Sequence, residues 1–277
     1  MSIAFRVYRY QLLPLDRNQT KDLYHELTVE EIIDQKNHLF AKALKSLSHM
    51  KRGAMIVRVQ QYDDLFVINL APSRPLTRET TDSRVEKVDN WPHISAYILN
   101  GSEDQYLLIQ DRPTAFANTS VVSNLIKRAT RLPLERFGLS LHIEPLFNKT
   151  YFWELINRYK NKITWIEFEF ITPNMSNISK TLSEALKSLG KNTNAVKEEL
   201  ALTSDPVSSL DISPDDQTIQ GLVEYTSEGG GDISLKVKGI RKRFHTSKST
   251  REILLSGVEL TAPSHQLLKL IKEVLEE

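Results

Sequence analysis

TIQGLVEYTSEGGGDISLKVKGIRKRFH, residues 218–245, is the stretch whose reading decides the last third of this chain. Apolar and polar residues alternate on both sides of three consecutive glycines. The pattern predicts an antiparallel hairpin, with TIQGLVEYT as one strand, DISLKVKGIRKRF as the other and SEGGG as the turn. In the second run Ile233, Leu235 and Val237 share one face, and Ser234, Lys236 and Lys238 share the other. Unbroken alternation would then strand Ile240 among the lysines. A bulge at Gly239 is expected to swap the faces and return Ile240 and Phe244 to the core.

The same stretch concentrates charge. From Asp232 to Glu252 the chain carries seven Lys or Arg and no intervening acid. Lys236, Lys238, Arg241, Lys242, Arg243, His245, Lys248 and Arg251 therefore form the candidate nucleic-acid-binding site. Lysines supply point charges and arginines forked donors, the chemistry that grips phosphate oxygens. A solvated edge strand that resists aggregation would carry the same residues, so charge alone leaves both readings open. The glycines lack the GxxxxGK[ST] pattern and no helix follows them directly, which favours a turn over a phosphate cradle.

Beyond this stretch, composition narrows the classes. The chain has 277 residues, 40% hydrophobic and 26% charged, within the range of an ordinary globular protein. A net charge of +1 means that polyanion attraction must come from local clustering. The absence of cysteine excludes disulfides, thiolate catalysis and cysteine-ligated zinc or iron–sulfur centres. The first residues lack the order of a signal peptide and no run reaches the length of a spanning helix, so a cytoplasmic protein is expected.

Along the chain, IAFRVYRY (3–10) alternates as a strand ended by Pro14. An amphipathic helix follows from about Lys21 to Leu47, then strands AMIVRVQQ and LFVINLA. Residues 72–90 read as a long loop or linker. HISAYIL and QYLLIQ form a hairpin, VVSNLIKRATRL a helix capped at Asn118 or Ser120, and GLSLHIEPL a strand. A short helix from Tyr151 to Tyr159 precedes the strand ITWIEFEFI, and a helix near Ile178 to Leu189 is closed by Gly190. AVKEELALT fits helix or strand, residues 203–217 a polar loop, and Ser264 to Glu276 a helix. The expected class is α+β, with mainly antiparallel sheets and helices packed on one face. Two domains are expected, 1–160 and 161–277, with an internal boundary open in the loop 72–90.

Other chemistry is sparse. Glu31, Asp34 and His38 share a helix face with His25 and Glu26 nearby, yet no HExxH spacing supports a metal site. Glu224, Asp232 and Lys236 are placed as a restriction-type nuclease would want its acids, but the E-x-K spacing is missing. His93 and His142 are isolated, and no G-x-S-x-G occurs. A second basic group, Lys127, Arg128, Arg131 and Arg136, sits where a helix C-terminus favours cations without any ligand. No catalytic residue, metal or cofactor is assigned. The expected function is non-catalytic, backbone-led, weakly sequence-specific binding of DNA or RNA. A protein-interaction or accessory subunit and a divalent-metal nuclease are the alternatives.

Overall fold

The structure, a computed structural model, describes residues 2–16, 27–49, 55–102, 104–172, 188, 192–256 and 264–276. Apart from residue 188, the helix expected near 178–189 lies outside them, as do the first part of the helix expected from Lys21 and His25 and Glu26. The class is α+β: antiparallel sheets carry the fold and helices pack against them. Among the described residues no helix is long and apolar enough to cross a membrane.

Two compact units are each built from separate stretches of chain: residues 1–6, 37–137 and 252–277 in the first, and 7–36 and 138–251 in the second. Strand β1 (Ser2–Pro14) contributes its first residues to one and the remainder to the other. It continues past the expected end at Tyr10 and stops at Pro14 as anticipated.

The first unit is organised on β2 (Met55–Tyr62), β3 (Leu65–Pro72), β6 (Ile94–Asn100) and β7 (Gln105–Gln110). With β13 (Glu252–Ser256) and β1 these strands follow the order β13–β1–β7–β6–β3–β2. Asp63 and Asp64 make the two-residue turn between β2 and β3, with Asp63 at φ 50°. In β6 the neighbours Tyr97, Ile98 and Leu99 are all buried, so this strand is covered on both faces. Helix α1 (Val29–Lys45), whose residues up to Lys36 fall in the second unit, opens with a reciprocal cap: Thr28 N–H donates to Glu31 Oε2 at 2.8 Å, and Glu31 N–H to Thr28 Oγ1 at 3.3 Å. Farther along it, Asn37 donates to the carbonyls of Asn100 and Gly101 while its Oδ1 accepts from Gln105 Nε2 at 2.9 Å. The Asn100 and Gly101 carbonyls and the Gln105 amide nitrogen thereby find partners, while Gln105 Oε1 stays buried without one among the described residues. Helix α2 (Thr119–Arg136) is capped by Asn118, whose side chain accepts from Val121 N–H, and helix α5 (Ser264–Glu276) buries Leu267 and Ile271.

The polar stretch 72–90 is not a plain loop. It contains β4 (Leu76–Glu79) paired with β5 (Val85–Val88), closed by Thr80 N–H to the Arg84 carbonyl at 2.9 Å. Almost every residue of these two strands is exposed, so no buried face imprinted a period on the sequence.

In the second unit β8 (Leu139–Pro145) pairs with β1, helix α3 (Lys149–Arg158) leads into β9 (Ile163–Ile171), and β10 (Lys197–Thr203) resolves the ambiguous AVKEELALT as a strand. Residues 218–225 correct the hairpin reading. They form α4 (Gln217–Tyr225), not a strand. Asp216 caps it, accepting from Thr218 N–H at 2.8 Å and Ile219 N–H at 3.1 Å. Ile219, Leu222 and Val223 are buried at helical spacing, which a strand would split between two faces. The strand expected to pair with residues 218–225, β11 (Gly231–Val237), instead lies between β9 and β12 (Phe244–His245) in the order β10–β9–β11–β12.

The glycines make this junction possible. Gly229 holds φ +82°, and a Cβ there would meet Arg9 Cβ at 2.5 Å. A Cβ on Gly231 would run into the Glu169 carbonyl. The run is a close backbone crossing, which explains three glycines without any ligand. Behind the sheet, Phe152, Leu155 and Ile156 of α3 and Leu222, Val223 and Tyr225 of α4 enclose Ile166, Phe168, Phe170, Ile233 and Leu235. Each such side chain contributes about 1.5–3 kcal/mol by burial.

Candidate nucleic-acid interface

Strict alternation in β9 and β11 decides what faces outward. With Ile166, Phe168 and Phe170 turned to the helices, Trp165, Glu167 and Glu169 stand on the opposite face, half-buried. On β11 the outward set is Asp232, Ser234 and Lys236. Cross-strand register places Lys236 opposite Trp165, Ser234 opposite Glu167 and Asp232 opposite Glu169. This face therefore has an aromatic, basic end and an acidic end.

At the basic end the chain turns rather than continuing as a bulged strand. Gly239 adopts φ +83° and Ile240 N–H donates to the Val237 carbonyl at 3.0 Å, the closure of a tight turn. Ile240 is consequently 38% exposed and does not rejoin the core. Lys238, Arg241, Lys242 and Arg243 occupy the loop to β12, all exposed. Phe244 does turn inward, its ring 5.1 Å from that of Tyr159.

A second segment joins this loop. Lys238 N–H donates to the Lys162 carbonyl at 2.7 Å, bringing the turn between α3 and β9 alongside. Exposed Lys160 and Lys162 in that turn thus extend the cluster, and sequence reading had linked neither to it. Trp165 was also missed. Its ring carries two cations, Lys236 Nζ at 4.8 Å and Arg243 Cζ at 4.7 Å from the centroid. Such contacts, worth about 0.5–1 kcal/mol each at exposed sites, hold flexible side chains in place. Asp205 and Asp211 also stand near this end, through Ser204 N–H to Thr164 O and Leu210 N–H to Ile163 O, and temper its field.

The remaining candidates are placed elsewhere. His245 Nδ1 lies 2.9 Å from Ser234 Oγ and 3.3 Å from Asp232 Oδ2. Asp232 further accepts from Thr246 Oγ1, Ser247 N–H and Ser247 Oγ, so it fastens β12 and the following 3-10 turn to β11. Serine and aspartate approach the same ring nitrogen, which is not the relay that would activate a nucleophile. Lys248, exposed in that turn, and Arg251, half-buried, follow on the Asp232 side, away from the loop. Arg251 exchanges backbone bonds with Leu146 and Val7.

The acids considered for a nuclease are not together on a hairpin. Glu224 is on α4, where Lys149 Nζ binds its carboxylate at 2.9 Å. Among the described residues no group of three or more His, Asp or Glu could hold a metal ion. Lys127, Arg128, Arg131 and Arg136 belong to α2 in the first unit, with Arg131 3.7 Å from Glu135. No protein-family model, curated protein or solved structure matches this chain.

Proposed function

We propose that the protein binds nucleic acid through the basic end of the second unit's open sheet face, by contacts led by the phosphate backbone and weakly dependent on sequence. The convergence of two chain segments carries this reading. Lys160 and Lys162 come from one turn, and Lys238, Arg241, Lys242 and Arg243 from another, joined by the Lys238–Lys162 backbone bond. An edge strand that merely avoids aggregation needs only its own lysines. Here the cations come from separate elements, and an aromatic ring holds Lys236 and Arg243 in position.

Charge without a base-reading helix favours backbone contacts, whose strength falls steeply with salt. Trp165 serves mainly to orient its two cations, since a base could stack on the ring only by displacing them. Anisotropy titrations with labelled single- and double-stranded DNA and RNA, at several salt concentrations, test the reading. Salt-sensitive binding by the natural protein and its loss in Arg241→Glu/Arg243→Glu are expected. Equal binding by both proteins, or none by either, contradicts it.

A protein-interaction role has one observation in its favour. Leu76 and Val85, 55% and 67% exposed, project from the β4–β5 hairpin, which packs neither of its faces. Absence of nucleic-acid binding by either protein above would move this reading to the front.

A further inference from the structure

At the base of the β4–β5 hairpin, within the first unit, a concave pocket of about 560 Å³ opens to solvent. That volume suits a small molecule. Its polar wall is made by Arg74, Arg112, Asn90, Ser73 and Thr114, and no acidic residue lines it. Pro75, Leu76 and Pro92 supply the apolar part.

Both guanidiniums are anchored by backbone carbonyls. Arg74 Nε donates to Ala115 O at 3.3 Å and Arg112 Nη1 to His93 O at 2.9 Å. A structural reading stops there: each arginine clips one loop to another. Yet a guanidinium has five N–H donors, and these clips occupy one on each. Among the described residues neither arginine forms an ion pair, in contrast to Arg6, which binds both Asp111 and Glu252. Arg74 is exposed and Arg112 half-buried, so two cations stand side by side at an open depression that no carboxylate lines, and they make the local potential positive.

We infer that this pocket binds a small organic anion, a phosphate or carboxylate attached to a flat apolar body. The arginines and the Asn90 amide take the anion, and the body lies on the prolines and Leu76. The carbonyl bond on each guanidinium leaves its forked donors free for an anion and restrains part of the side chain beforehand. This assignment is independent of the proposed nucleic-acid interface, which lies in the other unit.

Calorimetric titration of the full chain with phenyl phosphate, benzoate and uncharged phenol tests it. Saturable binding of one or both anions, at least roughly tenfold tighter than phenol, is expected from charge-assisted bonding. Arg112→Lys should weaken it by roughly tenfold, since a point charge cannot replace the fork. Leu76→Asp leaves both arginine clips untouched and should weaken it comparably by placing a like charge in the pocket. Melting curves without ligand establish that each variant is folded. Which anion binds distinguishes phosphate from carboxylate. No saturable binding of either, equal affinity for phenol, or affinity unchanged in both variants overturns the assignment.

Discussion

The two principal sheets bury their strands differently. In the first unit β6 reads ISAYILN and buries adjacent residues Tyr97 and Ile98 on opposite faces. In the second unit β9 reads ITWIEFEFI, burying Ile166, Phe168 and Phe170 while Trp165, Glu167 and Glu169 remain half-exposed. A strand covered on both sides has no position to spare for chemistry, and an alternating strand keeps every second one available. The difference leaves one face of the second sheet open, and the proposed interface stands at one end of it. The loop and turn at one end of that face then decide its sign.

Substitution to aspartate probes the comparison most strongly. In β6 both Tyr97→Asp and Ile98→Asp should unfold the first unit, whereas in β9 Phe168→Asp should be ruinous and Glu167→Asp tolerated. Near-native urea midpoints for Tyr97→Asp would break the contrast. Among milder changes, Phe168→Ala should cost about 3–5 kcal/mol by transfer and cavity terms, read from urea midpoints at constant slope. Gly231→Ala, which forces a Cβ against the Glu169 carbonyl, should cost about 3 kcal/mol.

Alkaline pH offers a smaller and more specific effect. Burial raises the Tyr225 phenol above its ordinary value of 10.0, and its OH donates to the Ile171 carbonyl at 2.6 Å. An unfolded chain would release this proton near pH 10 while the folded one retains it. The stabilisation is therefore complete below that pH and is lost as pH rises beyond it. Comparing urea midpoints at pH 9 and about pH 11, Tyr225→Phe should lose less than the natural protein. Equal losses would place Tyr225 in a wetter setting. The smallest change is Glu167→Ala on the open face, expected within about 0.5 kcal/mol.

Much of the fold was legible because burial leaves a period. ITWIEFEFI and the α2 segment each displayed one repeat, while QYLLIQ showed only a short apolar run between turn residues. TIQGLVEYT did not: Ile219, Val223 and Tyr225 fit a two-residue alternation, while Ile219, Leu222 and Val223 fit a helix. The Asp216 cap and the two partners already bound to β11 settle the matter, and the second of these is a long-range fact. Four-residue strands such as β4 and β5, with no core to face, left no trace to read.

The proposed interface was legible only in part. Lys236, Lys238, Arg241, Lys242 and Arg243 announced themselves by density of charge. Trp165 could have been found, since the alternation that buries Phe168 places it on the wet face. Lys160 and Lys162 could not be linked to the loop from sequence, because their place depends on one backbone bond between residues 162 and 238.

Hydrogen exchange with and without a saturating nucleic acid tests the central claim most directly. The account predicts slowed exchange in residues 159–165 and 236–245 and little change in the doubly covered strands 94–110. Protection confined to other segments, with the basic loop exchanging as freely as before, would contradict it.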